Sequence, residues 1–328
     1  MPSSSKIMTP RVLLYRSGAL GDTLLCLPAL DALRHAYPGA HIAFAAHPAY
    51  AAPLLGAGRI DSLLDSGGPP FHLLHTEPVM SPPEGDDELD SLLKDFNTII
   101  LFTRDPDGTT ARRLAAIEGA ETRIAHPFPP EGSQRHIAEW GLLSAHAAPK
   151  ANISISDITP LTQSIKIQSD ANDSLKRIGV PESPLLAIHP GGGGQPKWPP
   201  LATLISLARQ YCHTSGAAPL LITGPADEAP TTGFEKAWGS QTLRLESPPL
   251  EVLSAILARA SAYIGGDSGV THLAALSGTP TLALFGPASN PARWAPINPR
   301  GPSGAVWIPW DNANDAIKNL DEITDLTE

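Results

Sequence analysis

The sequence predicts an α/β protein of two parallel-sheet domains facing each other across a central cleft. Three features of the chain lead there. Short apolar runs bounded by turn residues alternate with amphipathic segments along both halves, as parallel strands alternate with crossover helices. A length of 328 residues is more than one hydrophobic core usually serves, so two cores are expected. Between the alternating regions lies a polar stretch, 146–183, rich in Ser, Ile, Thr and Asp, and a boundary placed within it divides the chain into 1–168 and 169–328.

Arg11-Val12-Leu13-Leu14-Tyr15 is a buried-strand pattern that ends in Arg16-Ser17-Gly18-Ala19-Leu20-Gly21-Asp22. A helix follows, with Leu24, Leu25, Leu27, Leu30 and Leu33 on its apolar positions; Pro28 fits only near its first turn, and Tyr37-Pro38-Gly39 stops it. Strands are then expected at 41–46, 60–64 and 98–102, with helices near 49–55, 88–96 and 109–117. Residues 66–87, rich in Pro, Gly and acidic side chains, read as a long surface loop or lid. In open α/β sheets ligands sit at the carboxyl ends of strands. Asp22, the one carboxylate in the loop after the first strand, is therefore either a general base for an acceptor hydroxyl or a helix N-cap. Arg104, at the end of a strand, with Arg112 and Arg113 on the next helix, either meets an anionic acceptor or is solvated.

The second half opens with strand 185–189, followed by Pro190 and four glycines, Gly191 to Gly194, then Lys197-Trp198-Pro199. Glycines let the backbone approach a ligand closely and Lys197 places a cation beside it, a phosphate cradle without the Gly-Lys-Ser/Thr ending of a nucleotide-triphosphate loop. Helix 201–211 and strand 219–223 lead to Glu228, which suits ribose hydroxyls or simply the acidity of a helix start. Strand 242–245 and helix 250–260 precede Tyr263-Ile264-Gly265-Gly266-Asp267-Ser268-Gly269-Val270-Thr271-His272, read as strand, tight turn and helix start. Such a turn aims main-chain N–H groups and the helix dipole at one spot, a place for an anion. Asp267 and Ser268 fall at or beside the N-cap, and His272 lies one turn on, on the same face. A cap with no further role is the plain alternative. Gly266-Asp267-Ser268-Gly269 also matches the tetrapeptide around a chymotrypsin-type nucleophile, but alternating strands and helices exclude that fold, and Val270 breaks the Gly-x-Ser-x-Gly elbow. Strands at 281–286 and 305–310 and a final helix from about residue 311 complete the reading.

Net charge is −10, shared as 12 Lys+Arg against 17 Asp+Glu in residues 1–150 and 11 against 16 in 151–328. Nucleic acid is thereby disfavoured as a partner, since phosphate neutralisation needs a basic face. The two cysteines, Cys26 and Cys212, have neither disulfide-framework nor zinc spacing, the polar N-terminus lacks a signal-peptide core, and no apolar run is long enough to span a bilayer. A cytoplasmic location is expected.

Three motifs together resemble glycosyltransferase family 9, the lipopolysaccharide heptosyltransferase family: Leu20-Gly21-Asp22 with Leu27-Pro28-Ala29-Leu30; Pro190-Gly191 through Lys197-Trp198-Pro199; and Asp267 through Ala275 with Phe285-Gly286-Pro287. The resemblance implies a GT-B architecture of two Rossmann-like domains and inverting, metal-independent transfer of a sugar, typically heptose from ADP-heptose, onto a lipopolysaccharide core or related glycan. By position it makes Asp22 the base, places Lys197 on the donor phosphates, lines the diphosphate and sugar site with Asp267, Ser268, Gly269 and His272, and puts Glu228 on the ribose. Arg104 and Arg112 would meet the acceptor in the N-terminal domain. No cofactor or metal is implied, and a lipid-linked acceptor would bring the protein into peripheral contact with the cytoplasmic face of the inner membrane. The chain departs from the family in having Ser268 where threonine is usual; the hydroxyl is retained. The competing readings are a nucleotide-sugar epimerase or hydrolase on the same scaffold and a non-catalytic sugar-nucleotide binder.

Overall fold

The computed structural model describes residues 9–76, 88–145, 154–239 and 242–312. Two wholly parallel sheets organise them. The first contains β1 (Arg11–Arg16), β2 (His41–Ala46), β3 (Ser62–Asp65), β4 (Thr98–Phe102) and β5 (Glu121–Ala125) in the order β3-β2-β1-β4-β5. The second contains β6 (Leu185–His189), β7 (Ala218–Thr223), β8 (Leu243–Glu246), β9 (Ala262–Gly266), β10 (Thr281–Phe285) and β11 (Ala305–Pro309) in the order β11-β10-β9-β6-β7-β8. The central strands are buried on both faces, as the unbroken apolar runs of β1, β4 and β6 require.

Strand order reverses between β1 and β4 in the first sheet and between β6 and β9 in the second. Helices leave opposite faces of the sheet at such a switch point, which opens a crevice at the carboxyl ends of the two adjacent strands. The loops that open into these crevices are those after β1, β4, β6 and β9. They carry Asp22, Arg104, the glycine loop with Lys197, and Asp267-Ser268.

The two sheets are brought together by helix pairs. Helix Leu20–Leu24 after β1 packs on helix Gly269–Leu276 after β9, and helix Pro48–Gly56 packs on helix Leu250–Leu257. Glycine permits the first contact. A Cβ on Gly269 would lie 2.6 Å from the Leu20 Cβ, and one on Gly21 would lie 3.0 Å from the His272 ring. A buried amide reinforces the second: Gln163 Nε2 donates to Pro53 O and Ser254 Oγ, both at 3.0 Å.

The structure departs from sequence expectation at several elements. The first helix is two helices, Leu20–Leu24 and Leu27–Ala36, with Pro28 in the first turn of the second. β5 was not expected, because its Glu121 and Arg123 interrupt the apolar pattern; an edge strand tolerates them, since its outer side is unpaired. Helix Ile137–Ser144 was hidden in a stretch without a long apolar stripe, and of helix Ile165–Arg177 the sequence suggested only the end, from about residue 173. The boundary expected at residue 168 falls within the second of these, whose Ala171 and Leu175 are buried. Residues 66–76 do not form an open loop. They turn through a short 3-10 helix that seats Phe71 and Leu74 in the first core, the Phe71 ring 5.3 Å from that of Tyr15. The rest of the expected lid, 77–87, and the expected final helix beyond 312 lie outside the described residues.

Candidate functional site

Asp22 is not the N-cap of its helix; Ala19 is, and Asp22 is the third helical residue. Its Oδ2 accepts the Ala19 N–H at 3.0 Å, while its Oδ1 accepts from Arg16 Nη2 at 2.7 Å. Arg16 is 2% exposed. Its other terminal nitrogen donates to Pro127 O at 2.6 Å, and its guanidinium lies 4.8 Å from the centre of the Phe128 ring. The carboxylate is therefore held by one contact on each oxygen, and each oxygen keeps a lone pair for a further donor.

Asp22 borders two open cavities, besides a crevice of about 10 Å³ against Leu25 and Cys26. One, of about 240 Å³, also meets Gly193, Lys197, Asp267, Ser268, Gly269 and His272 from the second sheet's loops. The other, of about 350 Å³, lies over the first sheet and also meets Arg16, His75, Thr103 and Arg104. Phe128 lines both and stands edge-on to Trp294 of the opposite half, ring centres 6.3 Å apart. Beyond Phe128 a third cavity, about 560 Å³, adds Arg293 and Trp140 to Arg104.

On the second sheet's side, Ser268 caps helix Gly269–Leu276 by accepting the Thr271 N–H. The first-turn N–H groups of that helix thus lie at the cavity wall, with the positive end of the helix dipole behind them. Lys197 Nζ donates to Asp267 Oδ2 at 2.7 Å, and Ser289 Oγ donates to the same oxygen at 2.7 Å. His272 is buried, and its Nδ1 has no hydrogen-bond partner among the described residues. Burial pushes its pKa down to about 4, His136 and Lys197 adding to the depression and Asp267 and Asp22 opposing it. The ring is therefore neutral near pH 7.

That depression has a consequence for stability. The folded His272 releases its proton near 4 against an ordinary value of 6.5, so between these limits the unfolded chain binds more protons. Stability should accordingly fall as pH drops from 6.5 toward 4, and this group should add nothing below that. Half-buried His136, also lowered by desolvation, acts in the same direction. Urea midpoints across this range should decline, with a shallower slope in His272→Gln; an unchanged slope would show that His272 titrates normally.

The expected site residues divide by position. Asp22, Lys197, Asp267, Ser268, Gly269 and His272 meet at one cavity, and Arg104 lines the adjoining one. Arg112 is engaged with its own helix start, donating to Asp107 O and Thr109 Oγ1, and buried Arg113 pairs with Asp90 at 2.8 Å. Glu228 is an exposed first residue of helix Glu228–Trp238, and it is the preceding Asp227 that turns inward. Sequence reasoning missed Arg16, Phe128, His189, Asp227, Ser289 and Trp294. His189, a polar residue closing an apolar strand, carried a usable signal; Phe128 and Trp294 carried none, because only the approach of the two halves brings them together. Among the described residues, no group of three or more His, Cys, Asp or Glu side chains is placed to hold a metal ion, and no helix is long and apolar enough to cross a membrane.

Comparison with known proteins places this geometry. Residues 162–314 match the model of glycosyltransferase family 9 (heptosyltransferase). A family 9 glycosyltransferase from Veillonella parvula DSM 2008 superposes with a TM-score of 0.70 at 18% identity, covering 95% of this chain and 89% of that one. The E. coli ADP-heptose lipopolysaccharide heptosyltransferase II gives 0.70 at 16% identity over 97% and 99% of the two chains. E. coli heptosyltransferase WaaC, solved with ADP, gives 0.61 at 17% identity over 94% and 99%. No curated protein sequence matches the chain. The structural likenesses establish the GT-B type of fold.

Proposed function

From the match of residues 162–314 to the glycosyltransferase family 9 model, we propose that the chain is a family 9 glycosyltransferase that carries out an inverting, metal-independent transfer of a heptose from ADP-heptose to a lipopolysaccharide core or related surface glycan. The observation that carries this reading is the position of Asp22, shared by a cavity of phosphate-binding character and a cavity with a basic wall. The nucleoside diphosphate sugar occupies the first, its phosphates against Lys197 and the N–H groups of the helix after Ser268. The acceptor occupies the second, and Arg104 and Arg293 suit an acceptor bearing phosphate or carboxylate groups.

In the reaction, an acceptor hydroxyl gives its proton to Asp22 as its oxygen bonds to the anomeric carbon from the face opposite the phosphate. The bond from that carbon to the phosphate oxygen breaks, and its electron pair leaves with the nucleoside diphosphate. Lys197 and the helix N–H groups offset the charge that develops there, which is the task a metal performs elsewhere. The donor reading is supported by the ADP present in the WaaC structure. A lipid-linked acceptor would bring the protein to the cytoplasmic face of the inner membrane.

The test is transfer from ADP-heptose to a heptose-deficient lipopolysaccharide core in the presence of a chelator, followed by NMR of the product's anomeric centre. Inverted product formed without metal is expected. Retained configuration or a strict metal requirement would remove the mechanism, a preference for UDP- or GDP-sugars would remove the donor, and release of free sugar without acceptor would favour a hydrolase.

A further inference from the structure

Beneath the cavity floor runs a chain of buried polar groups that the transfer scheme leaves unused. His189, the last residue of β6, is 3% exposed. Its Nε2 lies 2.9 Å from Asp227 Oδ2 and its Nδ1 lies 3.2 Å from Ser268 Oγ. Asp227 Oδ2 also accepts the Gly224 N–H at 2.7 Å, and the Gly192 N–H donates to the same carboxylate. A side chain on Gly191 would overlap Asp227. Tyr263 OH lies 2.9 Å from Thr271 Oγ1, which in turn donates to Gly266 O.

The donors and acceptors can be arranged in one consistent order. The hydrogen bonds of His189, Gly224 and Gly192 outweigh the burial that would raise the Asp227 pKa, and hold that carboxyl below its ordinary range. An ionised carboxylate only accepts, so in the neutral imidazole of His189 Nε2 carries the hydrogen and Nδ1 is left as an acceptor. The Ser268 hydroxyl has two acceptors within reach, His189 Nδ1 at 3.2 Å and Thr271 Oγ1 at 3.1 Å; Thr271 Oγ1 already takes the Tyr263 hydrogen, whereas Nδ1 has no other donor, so Ser268 donates to Nδ1. Its oxygen keeps lone pairs, one of which takes the Thr271 N–H. Thr271 spends its hydrogen on Gly266 O, and Tyr263 donates to Thr271. Each group in the chain is satisfied, and a satisfied buried network fixes a single geometry.

We propose that His189 and Asp227 are positioning residues of the donor site: they draw the Ser268 hydroxyl hydrogen into the domain interior and tie the glycine loop to the helix N-terminus. Ser268 then holds the anion-binding turn without donating to the ligand itself. The nucleoside diphosphate is met by main-chain N–H groups and Lys197, and Asp227 sets the approach of the glycine loop through Gly192 while His189 sets that of the helix through Ser268. The proposal rests on the donor-site reading above and divides Asp267-Ser268-Gly269, which sequence treats as one ligand-binding unit, into parts that face the ligand and a part that faces away.

Two measurements test it. Long-range proton–nitrogen NMR on protein labelled with ¹⁵N in its histidine rings, taken above the ordinary histidine titration range and assigned with His189→Gln, should show the hydrogen on Nε2. A hydrogen on Nδ1 overturns the ordering, and this result needs no ligand. Calorimetric ADP titration of Ser268→Ala, His189→Gln and the double variant supplies the second readout. Each single variant should lose about tenfold in affinity, and the double variant should lose no more than the worse single one, because both break the same link. Ser268→Thr, which keeps the hydroxyl, should retain wild-type affinity. Additive losses, roughly a hundredfold in the double variant, would mean that Ser268 meets the ligand directly and overturn the proposal. Wild-type protein that binds no ADP would instead remove the donor-site reading, while the tautomer still decides the ordering.

Discussion

Replacing Asp22 by asparagine should lower the rate of sugar transfer by about a hundredfold to ten-thousandfold, the range general-base removal usually costs, and leave ADP affinity essentially unchanged. Asparagine keeps the size of the side chain and an oxygen to accept from Arg16, but it cannot take a proton. Alanine is the poorer test. Both substitutions remove the counter-charge of Arg16, 2% exposed, but alanine also removes the oxygen that Arg16 donates to, and stripping a buried ion pair of one partner costs about 3–5 kcal/mol of stability. Initial rates at saturating donor and acceptor, with melting temperatures alongside, separate lost chemistry from lost folding. Transfer that survives in Asp22→Asn would move the base elsewhere, and an equal fall in ADP affinity would make Asp22 a binding residue.

Replacing Lys197 by alanine should weaken ADP binding roughly ten- to a hundredfold, since a hydrogen bond to a charged group is worth about 1.5–3 kcal/mol. Two effects combine. The cation that meets the phosphates is lost, and Asp267, with a side chain 5% exposed, is left in the anion site with Ser289 and no cation. The second effect is separable: Lys197→Ala with Asp267→Asn should bind ADP better than Lys197→Ala alone. Calorimetry at two salt concentrations checks both, because a lost charge contact reduces the salt dependence of binding. Equal affinity in wild type and Lys197→Ala would show that the phosphates lie elsewhere. Should Lys197→Ala instead bind as wild type yet turn over slowly, the lysine would act on the leaving group alone.

The pairing of Lys197 with Asp267 also describes how the free site is kept ready. A lysine on a flexible stem, its side chain 37% exposed, is parked on a buried carboxylate beside the helix N-terminus. Its charge is already at the place where a diphosphate arrives, so little side-chain ordering remains to be done on binding.

The sequence by itself determined the fold class and singled out most of the residues that the fold gathers at one cavity. Apolar runs such as Val12-Leu13-Leu14 and Leu186-Ala187-Ile188, short and followed by glycine-containing turns, read as strands buried on both faces. The strand-to-helix turns at Gly21-Asp22 and Asp267-Ser268-Gly269 announce groups placed at strand ends. Local patterning conveys this much because period, capping and turn chemistry are properties of neighbouring residues. What only the tertiary structure decided is which groups meet. That Arg16 holds Asp22, that Asp227 and not the adjacent Glu228 turns inward to His189, and that Phe128 faces Trp294 all depend on contacts between residues far apart in the chain. β5 escaped notice for the same reason, its place being set by pairing with β4 and not by its own residues. So did the inward hydrogen of Ser268, which follows from a carboxylate 41 positions upstream acting through one imidazole. Packing and hydrogen-bond satisfaction over such separations are settled by the folded chain as a whole, and no window of sequence contains them.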